Sequence, residues 1–187
     1  NQINHIGAGE NLENANNYHI KEINGKKVCF YALCENEFSV ATNNTPGANP
    51  YDPLITFDEI LKLKNDSDFL IILFHGGREH YRYPTPNLQK VCRKMVDKGA
   101  NLVVVQHTHC IGCMEEYKDA TIVYGQGNFI FDITNNEYWL TSLILDVKVA
   151  DKLIVDYIPI MKDQNIIRIA NSTEKSSILK DFYYRSN

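Results

Sequence analysis

His75, His107 and His109 carry the strongest chemical potential in this chain. His75 closes the apolar run Phe69–Phe74, and His107 and His109 follow a second apolar run, Leu102–Val105. Neutral imidazole is a ligand for Zn, Fe, Ni and similar divalent ions. Side chains of an extended segment alternate with period two, so a His-x-His pair sets two rings on one side. Glu79 and His80 lie in the loop after His75, and either can serve as a ligand or orient an imidazole from behind. The bland alternatives are that loop histidines follow strands by chance and that Glu79 pairs with Arg78 or Arg82. For one histidine the bland reading wins; three meeting at one sheet edge favour a metal.

Cys110-Ile111-Gly112-Cys113 follows His109 directly. It suggests either a zinc site shared with the histidines or a redox-active pair. The first lacks a second ligand pair at finger-like spacing, and the second lacks a helix opening at the first cysteine. Chance spacing of free thiols is preferred. Gly125-Gln126-Gly127-Asn128 has no amphipathic helix after it and so fails as a dinucleotide fingerprint. Its glycines suit a tight backbone passage beside the histidine edge, with Asn128 either pointing into the site or stabilising a turn. No nucleophile elbow or Walker sequence is present, and Trp139 and the tyrosines read as packing.

These side chains need a scaffold, and the pattern supplies one. Phe69–Phe74 is short and continuously apolar, as a strand covered on both faces must be. Thr85-Pro86 opens a helix whose stripe is Leu88, Val91, Cys92, Met95 and Val96, and Gly99 ends it. With Leu102–Val105 this makes a βαβ unit, hence parallel strands and a right-handed crossover. Open α/β sheets bind ligands outside the carboxyl ends of their strands, where the three histidines fall. Asn24-Gly25 turns a hairpin between His19–Ile23 and Lys27–Leu33. Residues 35–55 read as a long loop, and Thr56-Phe57-Asp58-Glu59 as a capping box opening a helix to about Leu63. Thr121–Tyr124 is a strand, Leu140–Val149 and Leu153–Ile160 a hairpin, and Ile166–Ala170 an edge. Ser172 or Thr173 caps a last helix to about Tyr183.

A length of 187 residues with 44% hydrophobic content fits a single α/β domain spanning 1–187. The net charge of −4 offers no cationic field for a nucleic-acid backbone. No apolar run approaches the roughly 20 residues of a membrane helix, and no signal-peptide pattern opens the chain at Asn1. Five cysteines at uneven spacing argue against a disulfide framework.

Several segments together resemble the bacterial CapA family of capsule and poly-γ-glutamate synthesis proteins. Gly7-Ala8-Gly9-Glu10-Asn11-Leu12 with Ala15 is similar to its Gly-x-Gly-x-Asn-Leu-x-x-Ala segment, and His75-Gly76-Gly77-Arg78-Glu79 to its His-x-Gly-x-Glu. Gln106-His107-Thr108-His109, Glu115-Glu116-Tyr117 and Ile122–Phe129 resemble further signatures in the same order. The resemblance implies a calcineurin-like metallophosphoesterase fold, packed β-sheets flanked by helices, with a divalent metal such as Mn, Fe or Zn. His75, His107 and His109 would be metal ligands and Glu79 would lie beside them, all four forming the catalytic set. Gln106 replaces a glycine and Gly76 a common tryptophan. The Gly-Asp and Asn-His segments of such sites are missing, so the expectation is an N-terminally incomplete fold lacking its first strands. With no bridging carboxylate, weak or single-metal binding and little phosphoesterase activity are expected. The implied function is a metal-dependent phosphoesterase or polymer hydrolase in capsule synthesis; the alternative is a non-catalytic component binding the polymer or other capsule-synthesis proteins. An anionic polymer would be held locally, through Arg78, Arg82 and Lys90. Free thiols favour the cytoplasm; family membership favours the cell surface, through an anchor upstream.

Overall fold

The computed structural model describes residues 3–35, 39–131, 136–163 and 166–187. The chain opens with β1 (Ala8–Gly9) and the single-turn helix α1 (Leu12–Ala15), which Asn11 caps by accepting the Asn14 N–H at 2.9 Å. β2 (Tyr18–Ile23) and β3 (Lys26–Cys34) form the expected hairpin. Asn24 and Gly25 both take positive φ, 52° and 74°, as a tight turn between right-twisted strands requires. The stretch expected to be a loop contains β4 (Gly47–Ala48), which pairs antiparallel with β1; positions 36–38 of that stretch lie outside the described residues.

α2 (Thr56–Asn65) forms where expected but without the capping box. Ile55 occupies the N-cap position, and the Thr56 hydroxyl instead accepts the Asp52 N–H at 3.0 Å. The preceding turn, whose Leu54 N–H binds the Asp52 carboxylate, has claimed the hydroxyl first. β5 (Phe69–His75) leads to α3 (Pro86–Asp97), capped as expected by Thr85, and then to β6 (Leu102–Gln106). β7 (Met114–Tyr117) and β8 (Ala120–Val123) follow as a hairpin. A 3₁₀ turn at Glu137–Leu140 enters β9 (Thr141–Val149), β10 (Leu153–Asp163) and β11 (Ile166–Ile169). α4 (Ser172–Ser186) closes the chain. Its cap is Asn171, one residue earlier than expected, in a reciprocal capping box with Glu174.

β2-β3-β5-β6-β8-β7 is the order of the larger sheet, parallel through β3, β5, β6 and β8 with an antiparallel strand at each edge. β5 and β6, joined through α3, therefore pair in parallel as the sequence predicts. α2 and α3 cover one face, packing Ile60, Leu63, Cys92 and Met95 onto Leu70, Ile72, Phe74 and Val103. The other face, with Val28, Ile71, Leu102 and Val104, meets Leu145, Val147 and Val155 of the smaller sheet β11-β10-β9. β5 and β6 are covered on both sides, which explains why FLIILF and LVVV show no alternation. Each such side chain contributes about 1.5–3 kcal/mol on burial. α4 plants the fully buried Phe182 against the Tyr157 ring, 4.8 Å between centroids. The result is a mixed α/β fold with sheets and helices in layers, as the residue patterns and the resemblance both imply. Among the described residues no helix is long and apolar enough to cross a membrane.

Candidate metal centre

β5 and β6 run parallel in a register that sets His75 beside Gln106, so both strands end at the same edge. His75 caps β5, and the turn after β6 carries His107 and His109. The ring centroids of His75 and His107 are 5.0 Å apart, and those of His107 and His109 are 5.9 Å apart. Glu79 reaches in from the following loop: its Oε1 lies 3.8 Å from His107 Nε2 and 3.9 Å from His109 Nε2. One ligand atom from each of Glu79, His107 and His109 falls within 4.8 Å of the others. Ligands bonded to one zinc-sized ion at about 2.1 Å lie at most about 4.2 Å apart, so a small inward movement suffices. The donor set fits a divalent ion of the Mn, Fe or Zn type. Glu79 pairs with neither arginine proposed for it: Arg78 lies over the Tyr81 ring and Arg82 over the Tyr138 ring.

The two histidines are not on an extended segment. His107 has φ 100° and His109 φ 56°, so the rings are aimed by left-handed backbone rather than by strand alternation. His80, in the facing loop, is left-handed as well, with φ 65°. Such conformations cost on the order of 1–3 kcal/mol each and persist where surrounding contacts enforce them. Here the buried Thr108 hydroxyl donates to the Cys110 carbonyl at 3.0 Å, and the Thr108 carbonyl accepts the His80 N–H at 2.9 Å. Gly125 provides the space: a Cβ there would meet Thr108 Oγ1 at 2.6 Å. The tight glycine passage expected beside the histidines is present.

Asn128 belongs to the site. Its Oδ1 is 2.7 Å from His109 Nδ1, while its Nδ2 reaches the His109 carbonyl at 3.5 Å. The amide oxygen accepts, so His109 carries its proton on Nδ1 and turns the Nε2 lone pair toward Glu79. Trp139 is more than packing. Its indole N–H donates to His80 Nδ1 at 3.3 Å, its ring stacks on His80 at 5.0 Å, and it stands 5.6 Å from His109. Phe131 adds a further aromatic face 4.8 Å from His109. No local signal marks Trp139, because 59 residues separate it from His80. His75, His107, His109 and Asn128 border a cavity of about 450 Å³, with Gln106 and Gln126 bonded to each other at 2.9 Å on its polar side and Ile130, Leu143 and Leu145 on its apolar side.

Cys110 and Cys113 take no part. Both are buried, burial pushes both thiols up, that of Cys113 to about 11, and Cys113 leads into β7 rather than a helix. A protonated, enclosed thiol is neither a ready nucleophile nor a ready metal ligand.

The layered α/β fold thus gathers imidazoles and a carboxylate at the carboxyl edge of its main sheet, in a cluster that could hold a metal ion. The chain belongs to the family described as bacterial capsule synthesis protein PGA_cap, which matches residues 1–133. It is similar to the capsule biosynthesis protein CapA of Bacillus anthracis, 29% identical over 136 residues, which are 70% of this chain and 33% of that protein. It is similar also to the PGA biosynthesis protein CapA of Bacillus subtilis strain 168, 32% identical over 134 residues, 68% of this chain and 34% of that one. The chain thus spans about a third of the length of these relatives. A crystal structure of a hypothetical protein from Thermus thermophilus aligns with a TM-score of 0.43 at 11% identity, over 82% of this chain and 60% of that one. The family match takes in all four candidate site residues and Asn128, and ends before Trp139 and α4.

Proposed function

We propose that this chain carries the metal-binding edge of a capsule-synthesis hydrolase that cleaves a phosphoester or a bond of an anionic capsule polymer. The observation behind this reading is the approach of Glu79 to both His107 and His109 with His75 alongside. His107, His109 and Glu79 would hold the ion, and His75 would complete the set. A divalent ion in such a set supplies Lewis acidity to a substrate oxygen and acidifies water. The chain's own groups do the positioning. Asn128 fixes the His109 tautomer. His80, its Nδ1 engaged by Trp139, presents Nε2–H toward Glu79 Oε2 at 3.7 Å and steadies that carboxylate. Phe131 and Trp139 keep water from one side of His109. Gln106 and Gln126 offer amide groups to substrate oxygens.

Glu79 is the one carboxylate in the cluster among the described residues. Two close cations need bridging anions to offset their repulsion, so the reading is one ion and slow turnover in this chain. The test is metal-dependent release of p-nitrophenol from a phosphodiester reporter, together with shortening of poly-γ-glutamate. Glu79→Gln and His109→Ala should each abolish the slow turnover, and Asn128→Ala should lower it by roughly 10–100-fold, as removal of an orienting partner does. Turnover that survives both of the first two changes contradicts the assignment. Polymer binding without any turnover at full metal loading supports the non-catalytic polymer-binding role instead.

A further inference from the structure

Just beyond His109, the turn at Ile111 and Gly112 is gripped from three sides. Arg82, from the loop that carries Glu79, donates its Nε–H to the Ile111 carbonyl at 3.0 Å. Arg185, from the last turn of α4, donates to the Gly112 carbonyl at 2.9 Å and reaches the Ile111 oxygen at 3.4 Å. On the third side the Gly112 N–H donates to the Gly125 carbonyl at 3.1 Å, and Ile111 bridges to Gln126. Gly112 leaves no room for a side chain: a Cβ there would fall 2.1 Å from the Tyr124 carbonyl oxygen.

Two cations on one carbonyl oxygen are a costly way to dock a helix. Burial, and then the Arg82 charge, push the Arg185 guanidinium below its usual range. α4 has other anchors: Phe182 is fully buried in a cluster with Ile111 and Leu143, and Ser186 Oγ accepts the Met114 N–H at 2.9 Å. What the arginines add is direction. A guanidinium presents its donors in a rigid plane, so it fixes the orientation of a carbonyl as well as its distance. The carbonyls held here belong to the turn that leaves His109. On its other flank, the same histidine turn is tied to the Glu79 loop by the His80 N–H, which donates to the Thr108 carbonyl at 2.9 Å. Glu79 and His109 therefore sit on two segments joined through His80 to Thr108 and through Arg82 to Ile111, and Arg185 holds the second junction from behind.

We infer that Arg82 and Arg185 are positioning residues for the histidine edge: by fixing the Ile111–Gly112 turn they set His109 against Glu79. α4, which the family match does not reach, thereby becomes part of the support of the site. The inference rests on the reading of Glu79, His107 and His109 as metal ligands, but the position of His109 can also be read without metal, through its bond to Asn128.

In the metal-free chain the His109 Nδ1–H, held 2.7 Å from Asn128 Oδ1, should give a slowly exchanging imidazole proton signal by NMR. Arg185→Met keeps the apolar stem and removes the donors, and Arg82→Met does the same from the other side. Each should lose or broaden that signal and bind Zn²⁺ roughly tenfold more weakly, as happens when a residue that orients a ligand is removed. Arg185→Lys, with one compact donor group in place of the planar fork, should fall between. Ser186→Ala separates positioning from docking. It removes a bond between α4 and Met114, so it should lower the unfolding temperature yet leave the His109 signal and the Zn²⁺ affinity at wild-type values. Unfolding temperatures are measured for every variant; should Arg185→Met fail to fold, Arg82→Met, which leaves the bonds of α4 intact, decides. Wild-type signal and affinity in a folded Arg82→Met overturn the inference. Equal losses in Ser186→Ala overturn it too, because helix docking alone would then explain them. If wild type takes up no Zn²⁺ while the His109 signal still depends on both arginines, the metal reading fails and the positioning role stands.

Discussion

At the tip of β6 the backbone turns left-handed at His107 and again at His109, and Gly125 leaves room for that turn. Its own φ is 136°, and a Cβ there would lie 2.6 Å from Thr108 Oγ1 and 2.9 Å from the Cys110 carbonyl oxygen. Gly125→Ala should therefore push the Thr108 clamp aside, cost about 1–3 kcal/mol from strain alone, and weaken metal binding at least tenfold. Thermal unfolding and metal titration of that variant check this, and wild-type values in both would contradict the clamp. His75, His107, His109 and Glu79 were legible as candidates because they stand at or shortly after the ends of strands that announce themselves by continuous apolar residues. Asn128 was half legible, as the residue after a glycine passage of unknown direction. Trp139 was not, because its partner His80 is brought to it by tertiary folding alone. The His-x-His spacing misled on one point: side-chain alternation assumes extended backbone, and a hydroxyl clamp replaced it with positive φ.

The elements divide by how many residues vote for each. β5, α3 and β6 rest on apolar runs and a helical stripe several residues long, so their type and parallel pairing follow from the sequence pattern. Caps rest on single side chains that compete. Ser172 and Thr173 were the candidates for α4, and Asn171 just before them takes the role by accepting from both Thr173 and Glu174 N–H groups at 3.0 Å. Thr56 loses its role to a turn that reached it first. β4 was illegible because it is two residues long and gains its partner, β1, from a distant part of the chain. α4 also carries a pH dependence. Arg168 first, at 2.7 and 2.8 Å, and then the Asn171 N–H hold the Glu174 carboxylate down to about 2, below its ordinary 4.5. A depressed carboxylate contributes above its unfolded value and stops contributing as the pH falls through its folded one. Amide protection of α4 in wild type should thus exceed that of Glu174→Gln near neutrality, and the difference should shrink between pH 4.5 and about 2. A difference that stays constant across that window would contradict the pairing.

For the whole molecule, layering and charge decide what the fold can present. The sheet–sheet core fixes one side of β5 and β6 and the helices the other, leaving the carboxyl edge as the place where polar side chains gather. The layered α/β class was legible because buried parallel strands, amphipathic helices and hairpin turns each leave their own periodicity. How the smaller sheet packs was less so, since alternating strands such as Leu153–Ile160 show which face is apolar but not what covers it. The net charge of −4 averages away local features such as Arg82 beside Arg185. The chain belongs to a family described as bacterial capsule synthesis proteins, and what happens at the histidine edge depends on whether it holds metal. The decisive measurement is the metal content of the purified chain by elemental analysis, beside His107→Ala. Wild type should hold close to one equivalent of divalent ion, as one carboxylate with imidazoles can bind, and the variant none. No bound metal in wild type, or metal retained after His107 is removed, would contradict the assignment of this edge.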